Sequence, residues 1–150
     1  MVITAKRSGF WGTRYEVSVA DRVVATWDNA RWKSGGDFEL DGRHYRVRSN
    51  GWGTKFTMTD EAGTVLASAD RIGRKQWHVM ADGQTYVFER ASFWSSDQEL
   101  RVGDRRAGSI RQAGRWRTDI AVDLPGVPLP TQIFVMGVVI AMWQVQAAAV

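Results

Sequence analysis

Several kinds of chemistry are excluded by what the chain lacks. Its 150 residues include no cysteine, which rules out disulfides, thiolate metal sites and a cysteine nucleophile and fits a reducing compartment. The only two histidines, His44 and His78, are far apart and match neither HxH nor HExxH spacing, so a zinc site is disfavoured and each reads as an ordinary strand residue. There is no GxSxG, no Walker-type phosphate loop and no GxGxxG opening a helix, and Gly51-Trp52-Gly53 reads as a turn between strands. Neither an enzyme nor a cofactor is expected. The start, Met1-Val2-Ile3-Thr4-Ala5-Lys6-Arg7, has neither the long apolar run nor the small-residue cleavage site of a secretory signal, so a cytoplasmic protein is expected.

The composition, 44% hydrophobic and 24% charged, is that of a chain able to bury one core, and a single domain over residues 1–150 is expected. The net charge of +4 concentrates phosphates and anionic lipid near the surface. Arginine carries the excess, in one stretch with Arg71, Arg74 and Lys75 and another with Arg105, Arg106, Arg115 and Arg117. These seven residues form the candidate anionic-ligand surface; the plainer reading is a solvated basic face that keeps the protein soluble.

From about residue 2 to 122 the sequence repeats one unit: a short alternating run, a turn, and a second alternating run. Tyr15, Val17 and Val19 alternate with Arg14, Glu16 and Ser18, and Ala20-Asp21-Arg22 turns into Val23 to Trp27. Phe38 and Leu40 face Tyr45 and Val47 through Asp41-Gly42, a pair suited to a type I′ turn. Phe56 and Met58 precede Asp60-Glu61-Ala62-Gly63, and Val65 to Ala69 follow with an ambiguous phase. Trp77, Val79 and Ala81 lead through Asp82-Gly83 into Tyr86 to Phe88; Leu100 and Val102 lead through Gly103-Asp104 into Ala107 to Ile110; Trp116, Thr118, Ile120 and Val122 share the face of a last run. About eleven or twelve short strands at this spacing predict a sandwich or barrel.

All three prolines, Pro125, Pro128 and Pro130, lie just before a run without a polar residue from Ile133 to Trp143. The run is too long for a typical strand and predicts a helix over about 131–148, with Pro130 and Thr131 at its start. A helix apolar on every side must lie in a protein core or a bilayer. The strict run is shorter than the roughly 20 residues a spanning helix needs, and no Lys or Arg flanks it, so a core helix is favoured over a tail anchor. Cans of about eleven strands hold a central helix, so the strand count and the helix fit one architecture. The expected fold is mainly β: a closed antiparallel barrel of about twelve strands enclosing a single apolar C-terminal helix. Tyr15, Val17, Phe38, Leu40, Tyr45, Val47, Phe56, Met58, Trp77, Trp116 and Ile120 should line the interior, Ile133, Phe134, Met136, Val139, Ile140 and Trp143 should form the core face of the helix, and Gly137 should permit a close approach.

Short antiparallel hairpins ending in PLPTQIFVMGVVIAMW at 128–143, with GTRYEVSV at 12–19 and VVATW at 23–27, resemble the tubby C-terminal superfold, closest to its LURP-one-related and phospholipid scramblase members. The resemblance implies a terminal helix threading a twelve-stranded barrel, and no catalysis common to the family. It carries over no lipid-binding Lys or Arg to a position in this chain. The eight tryptophans could stack on nucleobases beside arginines, but no RNA-binding aromatic motif is present and nucleic acid is disfavoured. For Trp11, Trp32, Trp52 and Trp94, rim packing or capping of the open barrel ends is the favoured reading. The functional expectation is a non-enzymatic module for anionic membrane phospholipid or phosphoinositide, peripheral at the membrane. The alternative is a protein-interaction or scaffold domain with no small-molecule ligand. A carrier or enzyme using the barrel interior would require the helix to lie elsewhere.

Overall fold

The computed structural model describes residues 2–8, 14–29, 34–113 and 119–148. Twelve strands precede one helix: β1 (Val2–Ser8), β2 (Arg14–Val19), β3 (Arg22–Asn29), β4 (Gly35–Leu40), β5 (Arg43–Ser49), β6 (Phe56–Thr59), β7 (Val65–Asp70), β8 (Gln76–Ala81), β9 (Gln84–Ser92), β10 (Ser95–Val102), β11 (Arg105–Ala113), β12 (Asp119–Asp123) and α1 (Leu129–Ala148). Each strand pairs with its neighbour in sequence, and β1 pairs antiparallel with β12 to close the barrel. Closure leaves no sheet edge open for pairing with another chain.

Local sequence explains the hairpins. Asp41 and Gly42 take φ of 52° and 77°, and Asp82 and Gly83 take 52° and 74°. Both pairs therefore have the two positive values of a type I′ turn, whose twist matches that of the strands it joins. Phe38 consequently lies opposite Tyr45, their rings stacked at 4.7 Å. The departure from simple alternation in the Val65 run has a local cause. The register shifts between Met58 and Thr59, so that Met58 faces Ala67 while Thr59 faces Val65. This bulge produces the ambiguous phase of the Val65 run. A second shift, between Leu100 and Arg101, puts its extra residue, Ala107, in β11; β10 itself keeps its alternation, and Val102 is 55% exposed because it is the last residue of the strand. A bulge inserts an odd residue and flips the faces beyond it.

The helix fills the barrel. Its residues are buried without interruption from Thr131 to Ala141, including Ile133, Phe134, Met136, Val139 and Ile140, and every described member of the expected interior lining is buried. Trp116 lies outside the described residues. Trp143 is half-buried; its indole N–H donates to the Ser96 carbonyl at 2.9 Å. The window Leu129–Ala147 is long and apolar enough to cross a membrane, but 61% of it is buried inside the barrel. A helix in this position also leaves no hollow interior for a carrier.

The helix begins earlier than the expected start near residue 131. Leu129 is the first helical residue, and the Pro128 carbonyl accepts the Gln132 backbone N–H at 2.9 Å. Thr131 is therefore within the first turn and buried rather than capping it. Pro130 fits there because the first N–H groups of a helix have no intrahelical partner to lose. The Gln132 side chain Nε2 donates back to the Val127 carbonyl at 2.7 Å, fixing the entry of the chain.

One contact sets the depth of the helix. A Cβ on Gly137 would lie 2.1 Å from the Trp27 ring, and one on Gly36 would lie 2.7 Å from the same ring. Two glycines thus make room for an indole that is fully buried and donates its N–H to Asn29 Oδ1 at 2.7 Å. Near the far end of the helix, the Trp77 indole donates to Gln98 Oε1 at 3.0 Å, and Gln98 Nε2 donates to the same Ser96 carbonyl that receives Trp143, at 3.3 Å. The indole N–H groups of Trp77 and Trp143 are thereby paired near the far end of the helix.

Candidate functional site

In a barrel whose sequential strands all pair antiparallel, alternate connections share an end. The turns after β2, β4, β6, β8 and β10 lie at the end where the helix enters. Each carries an aspartate: Asp21, Asp41, Asp60, Asp82 and Asp104. The described connections at the opposite end are residues 50–55, 71–75 and 93–94. They carry Trp52, Lys55, Arg71, Arg74, Lys75, Phe93 and Trp94, and no carboxylate. The C-terminal turns of α1 emerge there, with Val145 65% exposed.

These loops are ordered by their own hydrogen bonds. Asn50 staples its loop from within: Oδ1 accepts the backbone N–H of Thr54 at 3.0 Å and of Lys55 at 3.3 Å, and Nδ2 donates to Thr54 Oγ1 at 3.0 Å. The Asn50 carbonyl accepts the Gly53 N–H at 3.2 Å. Trp52 is presented at the tip, 90% exposed. The Ile72 N–H donates to the Thr54 carbonyl at 3.1 Å, tying the Trp52 loop to the one that bears Arg71, Arg74 and Lys75. Between β9 and β10, Phe93 and Trp94 occupy a two-residue turn, and neither has a positive φ. Two bulky rings thus stand where a tight hairpin favours Asn-Gly or Asp-Gly. They are 81% and 91% exposed and meet edge to face at 5.1 Å.

Some of the basic residues on the barrel wall are paired with carboxylates. Arg14 lies 2.7 Å from Asp28, whose hydrogen bond first and charge second raise the guanidinium pKa further above its ordinary value. Asp37 faces Arg46 at 3.7 Å and Arg48 at 3.2 Å. Arg101 lies 3.4 Å from both Glu89 and Glu99. Among the described residues no carboxylate comes within ion-pair distance of Arg71, Arg74 or Lys75, which are all exposed.

The structure divides the seven candidate basic residues. Arg71, Arg74 and Lys75 share the aromatic end. Arg105 and Arg106 start β11 at the aspartate-bearing end, and Arg106 also lies 3.9 Å from Glu99. The barrel separates the two groups, so they do not make one surface. Arg115 and Arg117 lie outside the described residues, as do Trp11 and Trp32. For Trp52 and Trp94 the expectation of rim packing or capping is corrected: at 90% and 91% exposure neither ring is packed against the rim or covers the opening. His44 and His78 are strand residues, 3.7 Å from Glu39 and 3.8 Å from Asp70. Among the described residues no group of three or more His, Cys, Asp or Glu is placed to hold a metal.

Phe93 and Lys55 were not singled out from the sequence, although a signal was available. Numbering the hairpins and assigning alternate connections to opposite ends places Trp52, Arg71, Arg74, Lys75 and Trp94 together and sets Arg105 apart. Compared with protein families, curated proteins and solved structures, the chain finds no match in any of the three.

Proposed function

We propose that this chain is a non-enzymatic, tubby-like and LURP-one-related binding module that docks its aromatic, basic end on an anionic membrane surface in the cytoplasm. The observation that carries the reading is the coincidence of Trp52, Phe93 and Trp94, each more than four-fifths exposed, with Arg71, Arg74 and Lys75 at one end of a rigid barrel. Exposing such rings to water is unfavourable unless something covers them, whereas the membrane interface accommodates an indole body and its polar N–H together. Each Lys or Arg held near an anionic leaflet contributes about 1 kcal/mol. The aspartates at the opposite end favour the same orientation by repulsion. The twelve-stranded barrel around a terminal helix supports the kinship to the extent that fold can.

Sedimentation with phosphatidylcholine vesicles, with and without phosphatidylserine or a phosphoinositide, tests the reading. Binding should require the anionic lipid and fall as salt shortens the Debye length from about 10 Å at 0.1 M to about 3 Å at 1 M. Equal sedimentation with neutral and anionic vesicles at low salt would refute it.

A further inference from the structure

Beside Trp52 the aromatic end is indented by a notch of about 270 Å³, lined in large part by Trp52, Phe56, Ile72, Ala141, Met142 and Val145. It lies between the last turns of the helix and the two loops joined by the Ile72 to Thr54 hydrogen bond. Other depressions on the protein include carboxylates in their walls, such as Asp28, Asp37 and Glu39 in one and Asp60 and Glu61 in another. The described walls of this notch hold no charged side chain. Cationic residues adjoin the lining in sequence: Arg71 and Arg74 flank the Ile72-Gly73 segment, and Lys55 lies between the lining residues Thr54 and Phe56, all three exposed.

We propose that this notch is a binding site for the aliphatic chain of an anionic amphiphile, with the headgroup held at the mouth by Arg71, Arg74 and Lys55. An apolar floor with cationic residues adjoining it matches a molecule that has an apolar tail and an anionic head, and it disfavours both a bare anion and an uncharged hydrocarbon. The size of the notch admits a short stretch of chain, so it grips one segment of a lipid rather than enclosing the whole molecule. The choice of a lipid chain as occupant rests on the membrane-docking reading. The notch would then supply what flat electrostatic attraction lacks, a contact to an individual lipid.

Titration calorimetry with inorganic phosphate and with butyl, octyl and dodecyl phosphate, each below its micelle concentration, tests this on the intact chain. Each methylene buried should tighten binding roughly fourfold, the equivalent of about 0.8 kcal/mol per CH₂, until the notch is full, after which affinity should level off. Val145→Gln, at an exposed position that leaves folding undisturbed, should weaken octyl phosphate binding about tenfold, and Arg105→Gln at the opposite end should leave it unchanged. Affinity independent of chain length, or unaffected by Val145→Gln, would overturn the notch. If anionic vesicles still sediment the protein in that case, surface docking stands and only the notch falls. If neither vesicles nor alkyl phosphates bind, both fall, and alkyl phosphate binding without vesicle binding would retain the notch and remove the docking.

Discussion

The two ends of the barrel are built from the same element, a connection between antiparallel strands, and they differ in almost everything else. At the end where the helix enters, the connections are short, polar and suited to their geometry, as Asp41-Gly42 and Asp82-Gly83 show. The exposed apolar residues near it are valines such as Val23 and Val102, about half exposed at the ends of strands. At the other end the turn between β9 and β10 gives up favourable turn residues for Phe93 and Trp94, and the Trp52 loop uses five internal hydrogen bonds to hold up a largely exposed indole. Turn chemistry accounts for the first end alone. The second end obeys local rules less well, and departures of this kind mark surfaces selected for contact rather than for folding.

The contrast can be broken or sharpened by substitution, and the largest effect should come from charge. Replacing Arg71, Arg74 and Lys75 together with Gln should lower partition onto anionic vesicles roughly 100-fold, three times about 1 kcal/mol, measured by sedimentation at low salt. Smaller in energy, Gly137→Ala tests whether the ends are held apart by a rigid core. The methyl group gains about 1 kcal/mol of helix propensity but meets the Trp27 ring, and overpacking at about 3 kcal/mol should win, leaving a net loss of roughly 2 kcal/mol in denaturant unfolding. Trp52→Ala with Trp94→Ala should cost about tenfold in vesicle binding with no loss of stability, since rings exposed to this degree hold little of the fold together. Asn50→Ala should cost about 1 kcal/mol of stability by releasing the Trp52 loop, and weaken vesicle binding less than removal of the rings. Arg105→Gln with Arg106→Gln should change vesicle binding by less than about twofold. A loss there equal to that of the Arg71 group would abolish the distinction between the ends.

Much of the fold was legible because its signals are local. Asp41-Gly42 announces its hairpin, and a run from Ile133 to Trp143 with no polar residue has only one place to go in a barrel of this size. The illegible parts have physical causes. The bulge opposite Met58 changes which face a residue of β7 occupies without any distinctive residue to mark it, so the phase of Val65 depends on pairing across strands. Thr131 looked like a cap because it can serve as one, but the Pro128 carbonyl already closes the first turn. The site was half legible: Arg71, Arg74 and Lys75 stood out by charge, yet their meeting with Trp52 depends on loop 50–55 and loop 71–75 sharing an end. Charge density alone grouped them with Arg105 and Arg106, which the barrel holds apart.

Closure of the barrel by β1 and β12, with a helix already inside, also constrains the order of assembly. Val2 must find Asp123 across nearly the whole chain, and a helix cannot be threaded through a ring that has already been sealed. The hairpins can form early from local contacts, but they must remain an open, curved sheet until the Ile133 to Ala141 segment has settled on its inner surface. Only then can the β1–β12 seam zip shut. Such a route pays its loop-closure entropy late, so refolding should be slow for a chain of this size and should leave a concave apolar face temporarily uncovered.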